Sequence, residues 1–157
     1  MLLAGGGAGV GWWQASGAHA ATPTGPQLVA REDAEDSDVA AARARGGRPD
    51  PRLFKASYIP IEGNFTSNLG GTGYVQLSIG ARTFYDERVG QAVTLHQMAI
   101  RSAVLAALSE ESPEELATAQ GKHALRRRLA DTINQVLRSN EGFGGIDDVY
   151  FTGFVMQ

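Results

Sequence analysis

Between Tyr74 and Phe84 apolar and polar residues alternate: Val75, Leu77, Ile79 and Ala81 fall on one side, Tyr74, Gln76, Ser78 and Arg82 on the other. A period of two predicts a half-buried strand. The period then changes to that of a helix. Val89, Val93, Ile100, Val104 and Leu108 follow one another at steps of four, seven, four and four, an apolar stripe for which Asp86 is a competent N-cap. Ser112, Pro113 and Glu115 supply a cap, a first-turn proline and the third-position acid of a capping box, so a new helix starts there. Leu125, Leu129, Ile133, Val136 and Leu137 extend a second stripe, which Gly121 can kink or divide and Gly142 should close. Residues 146–157 read as a strand apolar on both faces, with Val149, Phe151 and Val155 on one and Tyr150, Phe154 and Met156 on the other. That pattern predicts an inner position in the sheet. Upstream, residues 53–61 are rich in β-formers, and Pro60 marks an edge or a strand end, because proline cannot donate to a ladder. Residues 63–73 look turn-rich. Helices grouped between strands predict an α+β fold in which a small mixed or antiparallel sheet is covered on one face by helices. A length of 157 residues supports one such unit, expected over residues 53–157.

The N-terminal third lacks both periods. Residues 1–13 form an uncharged small-residue run ending in Trp12 and Trp13, aromatics suited to a membrane–water interface. Leu2, Leu3, Gly5, Gly9, Val10, Trp12 and Trp13 are the candidate membrane segment, with Gly5 and Gly9 on one helix face where a second helix can approach closely. A transmembrane anchor over residues 1–20 is the first reading. A signal peptide is the second, because Ala18, His19 and Ala20 have the form of a cleavage site. A flexible tail is the third. A full span needs about 20 apolar residues, and basic residues should precede either an anchor or a leader, so the natural start is expected upstream. Residues 21–52 carry Pro23, Pro26, Pro49 and Pro51 and no period, the signature of a disordered linker. Its acidic block (Glu32, Asp33, Glu35, Asp36, Asp38) precedes a basic one (Arg43, Arg45, Arg48, Arg52), as in solvated segments.

Charge and composition narrow the function. A formal net charge of -3 gives no footprint for nucleic acid, which asks for a basic domain. Without cysteine there is no disulfide framework, thiolate metal site or thiol nucleophile. His19, His96 and His123 have no partner at ligand spacing, and the run from Gly5 to Gly11 lacks the preceding strand and the Lys-Ser/Thr ending of a phosphate loop. Asp147 and Asp148 are adjacent, and neighbours in a strand point to opposite faces, so they read as turn acids and not as a catalytic pair. Arg126, Arg127 and Arg128 spread around a helix by about 100° per residue. They read as a solvated face, with contact to a partner's acidic patch or to lipid headgroups as the functional alternative. No catalytic, cofactor or metal residues emerge.

Four stretches share one resemblance: Tyr58-Ile59-Pro60-Ile61 leading to Phe65 through Leu69, Ile100-Arg101 running on to Leu108-Ser109, Ile133-Asn134 with Leu137, and Val149 through Gln157. In this order they resemble the FliL family of flagellar basal-body-associated proteins, although members often carry proline shortly before the Ile-Arg pair, where Met98-Ala99 stands here. The resemblance implies an inner-membrane anchor and a periplasmic domain of the stomatin/prohibitin-like kind. It also implies a non-enzymatic role beside the flagellar stator units, in support of rotation, motility and chemotaxis, without cofactors and with homo-oligomeric assembly. Two rival expectations come from other classes: a general stomatin-like membrane scaffold, and a secreted periplasmic binding domain or enzyme released after Ala20.

Overall fold

The computed structural model describes residues 24–70 and 73–157. Its elements are α1 (Asp36–Arg45), β1 (Ser57–Asn68), β2 (Tyr74–Thr83), α2 (Glu87–Leu95), α3 (Gln97–Ser109), α4 (Pro113–Leu116), α5 (Ala119–Glu141) and β3 (Ile146–Met156). The strands form an antiparallel sheet in the order β1-β2-β3, and α3 and α5 pack against one another and against the sheet. The fold is therefore α+β. The candidate membrane segment and the Ala18–Ala20 cleavage site lie outside the described residues.

The alternation in β2 survives intact, with Val75, Leu77, Ile79 and Ala81 buried against the helices. They meet Val89 and Val93 of α2, Ile100, Val104 and Leu108 of α3, and Leu125, Leu129, Ile133 and Leu137 of α5 in one core. Asp86 caps α2 by accepting from the Arg88 amide, and Ser112 caps α4 by accepting from that of Glu115. Gly142 closes α5 in the left-handed conformation, φ 80°.

Four expectations change. β3 is an edge strand and β2 the inner one: the core covers one face of β3, while Val155 on the other is 48% exposed. The cover depends on a bulge. Ser78 pairs with Gly153 but Ile79 with Phe151, leaving Thr152 as an extra residue, and one extra residue reverses the facing of all that follow. Opposite the inward residues of β2 therefore stand Val149, Phe151, Phe154 and Met156, while Tyr150, Gly153 and Val155 take the other face. The expected turn after Ile61 is instead more strand: β1 runs to Asn68 across an irregularity between Ile61 and Phe65, where Gly63 takes φ 88°. Its polar residues imitate a turn, while Phe65, fully buried, holds it to the sheet.

The single helix expected after Asp86 is broken at His96, with 77° between α2 and α3. The break falls within the seven-residue step from Val93 to Ile100, so each half keeps its apolar side on the core. Finally, the stretch expected to be a structureless linker contains α1 and bridges Leu28 to Tyr85 and Ala30 to Phe54. Val39 of α1 joins Phe54 and Phe84 in a small second core, with Leu28, Ala34, Ala42 and Leu53 around it. Alanines favour this helix, and Asp36 and Asp38 at its start and Arg43 and Arg45 at its end match its dipole. Alanine is too weakly apolar to register as a stripe.

Candidate interaction surface

The residues flagged for chemistry turn out to be mostly clamps. Asp147 lies within β3 at the register shift between Ile146 and Asp148, its side chain 6% exposed, and accepts from Nε of Arg48 at 2.8 Å and Nε of Arg82 at 3.0 Å. Burial by itself raises the Asp147 carboxyl, but the two guanidinium bonds outweigh it and hold the group below its ordinary value. Asp148 points elsewhere. One of its oxygens accepts from Arg126 Nη2 at 2.7 Å and the other from the Val149 amide at 2.9 Å. Each carboxylate thus faces a guanidinium.

The three consecutive arginines of α5 diverge as the helical rotation requires. Arg126 donates through Nε to the Val149 carbonyl at 2.6 Å and lies over the Tyr150 ring, 4.7 Å from its centroid. Arg128 reaches the buried Glu111. Burial raises the Glu111 carboxyl, and the Arg128 charge offsets this only in part. Arg127 is exposed, and it borders an open cleft of about 600 Å³ together with Arg48, Asp131, Arg138 and Phe143. The structure therefore separates the basic run into two arginines bonded to neighbouring elements, Arg126 half-buried and Arg128 exposed, and Arg127 at the rim of the cleft.

His96 sits at the α2–α3 corner with Nε2 2.7 Å from Oε1 of Glu141, at the end of α5. This contact pins the corner while Leu95 (72% exposed) and Met98 (86%) project beside it. His123 borders a shallow depression with Arg48, Arg126 and Arg127. Among the described residues no group of three or more His, Cys, Asp or Glu is placed to hold a metal ion. No single described helix is long and apolar enough to cross a membrane.

Two residues that sequence reasoning left inside a motif prove to organise the surface. Asn134, on α5, accepts through Oδ1 from the amides of Gly145 and Ile146, each at 2.9 Å, and donates through Nδ2 to the Ile146 carbonyl at 2.7 Å. It thereby sets where β3 begins. Arg101, on α3, donates to the Asn64 carbonyl at 2.8 Å and lies over Phe65, clamping the irregular stretch of β1. Their only sequence signal was position: each follows an isoleucine of an apolar stripe, where a helix turns from core to boundary.

The family model for the flagellar basal body-associated protein FliL matches residues 58–157, from the start of β1 to the end of β3. A flagellar protein FliL of Aquifex aeolicus (strain VF5) is 31% identical over 86 residues, 55% of this chain and 50% of the relative. The chain thus spans about half the length of the curated relative it matches. The matched region contains the whole sheet, the α3–α5 core and both clamps, Arg101 and Asn134, and the chain belongs to the FliL family of flagellar basal body-associated proteins.

Proposed function

We propose that this chain is a non-enzymatic accessory subunit of the flagellar basal body, anchored in the inner membrane by its N-terminal segment. Its α+β domain stands in the periplasm as a scaffold of the stomatin/prohibitin-like kind. There it assembles as a homo-oligomer beside the stator units and supports rotation, motility and chemotaxis. The observation that carries this reading is the family match over residues 58–157, which takes in every strand of the sheet. The chemistry of the surface agrees with it. The acidic pair Asp147–Asp148 is committed to arginines, whereas Arg127, Leu95 and Met98 face outward, as residues that meet another protein do.

The test is a clean deletion in the host, complemented by the intact chain and by one lacking residues 1–20. The expected result is weakened swimming and swarming in viscous medium, restored by the intact chain alone. Full motility of the deletion strain at high load would overturn the proposal. Rescue by the shortened chain would overturn the anchor while leaving the flagellar role in place.

A further inference from the structure

The point where the chain enters the domain sets which side lies nearest the membrane segment proposed above. There the chain is bonded to the start of α2. The Gln27 amide donates to a carboxylate oxygen of Asp86 at 3.0 Å, the Asp86 amide donates to the Gln27 carbonyl at 2.8 Å, and Arg88 Nη1 donates to the Gly25 carbonyl at 2.7 Å. With the anchor ending at Ala20, residues 21–24 are all that separates it from Gly25. An extended chain advances at most about 3.6 Å per residue, so this tether reaches no further than about 18 Å. The side of α2 to which it is bonded therefore stands within that distance of the bilayer.

Along α2 the same face leads to the corner with α3. Leu95 follows Arg88 by two helical turns, which places it on that face about 10 Å further along the axis. Leu95 is 72% exposed, and Met98, just across the corner, is 86% exposed. From Val89 to Ile100 the sequence has no Asp, Glu, Lys or Arg. The surface of this stretch beside the two apolar side chains consists of Gln91, Thr94 and Ala99. The corner is braced from behind. α2 and α3 meet at 77°, His96 is tied to Glu141 at 2.7 Å, and Gln97 Nε2 donates to Glu62 at 3.3 Å. Two long apolar side chains thus project from a fixed, uncharged bend, and leaving them in water is unfavourable.

We propose that the α2–α3 corner docks on the bilayer, with Leu95 and Met98 inserted at the boundary between lipid headgroups and acyl chains. This rests on the anchored reading above and narrows it, since Arg127 is left for a protein partner while Leu95 and Met98 are assigned to lipid. The tether selects lipid over another protein. A gap of at most about 18 Å is too thin for a folded domain, because even 100 residues have a radius of gyration of about 13 Å. The absence of charge agrees, since the face that a protein lays into the interface is apolar and enters it by about 5–10 Å. Two side chains hold a bilayer weakly from solution. The anchor makes their contact intramolecular, which raises the effective concentration of lipid at the corner. A single tether leaves the domain free to pivot, and this second contact fixes its orientation on the membrane.

The chain has no cysteine, so single cysteines carry an environment-sensitive dye to chosen sites. The full chain is reconstituted in vesicles of phosphatidylcholine and phosphatidylglycerol, with and without lipid brominated in the upper acyl chain. Dye on Met98→Cys is expected to be quenched by brominated lipid roughly threefold more than dye on Thr66→Cys, an exposed site of β1. Dye on Gln91→Cys should be quenched as well, and combining it with Leu95→Ser and Met98→Ser should abolish that quenching with the melting temperature unchanged. Equal quenching at positions 98 and 66, or quenching at 91 that survives the serine substitutions, would overturn the proposal. A blue-shifted dye at 98 that brominated lipid does not reach would assign the corner to a protein contact and overturn it too. Flotation separates the docking from the anchor. A chain that floats with the vesicles without quenching at 98 overturns the docking alone, and a chain that stays in solution overturns the anchor and the docking with it.

Discussion

Replacing Asn134 by alanine tests how β3 is held in register. The side chain joins three main-chain groups at the turn into the strand, with distances of 2.7 to 2.9 Å, and all three bonds are partly buried. The turn cannot easily find substitutes. Gly145 takes φ 138°, and a Cβ there would come within 2.7 Å of Val89, so the backbone is held tightly against α2. Thr83 donates from the other side to the Gly145 carbonyl at 2.7 Å. A net hydrogen bond contributes about 1 kcal/mol, and a buried group left without a partner costs about 1–3 kcal/mol. Because water reaches part of this site, Asn134→Ala should lose about 3 kcal/mol of stability, a sizeable share of the roughly 5–15 kcal/mol of a typical domain. Asn134→Asp keeps the two acceptor bonds and loses the donor, so its loss should be smaller, about 1–2 kcal/mol. The assay is urea denaturation combined with amide hydrogen exchange. In the wild type the Gly145 and Ile146 amides, whose acceptor is the Asn134 side chain, should be protected, and in the alanine variant both should exchange rapidly. Stability within about 0.5 kcal/mol of wild type, with protection at both amides unchanged, would refute the clamp.

Glycine to alanine in a helix ordinarily stabilises by about 1 kcal/mol. At Gly121 the sign should reverse, because a Cβ would lie 1.9 Å from the Glu115 carbonyl oxygen; a loss of about 2 kcal/mol is expected in thermal melts, and a gain would contradict the close approach of α4 to α5. Asp147→Asn should cost about 2 kcal/mol at pH 7 through its charge-assisted bonds. The folded Asp147 titrates below its unfolded value of about 3.9, so this contribution is present above that value and is lost as pH falls through the folded one. Melting curves of wild type and variant should therefore converge as pH falls below the ordinary carboxylate range, and a constant gap would show that the charge is not responsible. Val149→Asp, at a fully buried position, should cost on the order of 4 kcal/mol or more. Phe151→Asp, at a half-buried one beside Phe154, should cost about 2–3 kcal/mol. Equal losses in denaturation would mean that burial does not fall off along β3 from Val149 to Phe151.

The sequence by itself determined what depends on neighbours a few residues apart. Alternation in β2 follows from the period of a strand, the stripes of α3 and α5 from that of a helix, and the caps at Asp86, Ser112 and Gly142 from the unsatisfied groups at helix ends. The four motif stretches carried the family, because they combine buried side chains such as Ile100 and Val149 with clamps such as Arg101 and Asn134. Only the tertiary structure decided the rest. Whether a strand lies inside or at an edge depends on what stands beside it, so β3, apolar on both faces, read as an inner strand until the order β1-β2-β3 placed it outside. Its bulge at Thr152 is a property of pairing with Ser78 and Ile79, and it redirected every side chain beyond it. The polar half of β1 is strand because β2 is there to pair with it, and α1 is ordered because Phe54 and Phe84 give Val39 something to cover. The three arginines were alike as letters of a run. Their surroundings tied Arg126 to Asp148 and Arg128 to Glu111 and set Arg127 at the rim of the cleft, since a charge's role is set by the groups that the fold brings within reach of it.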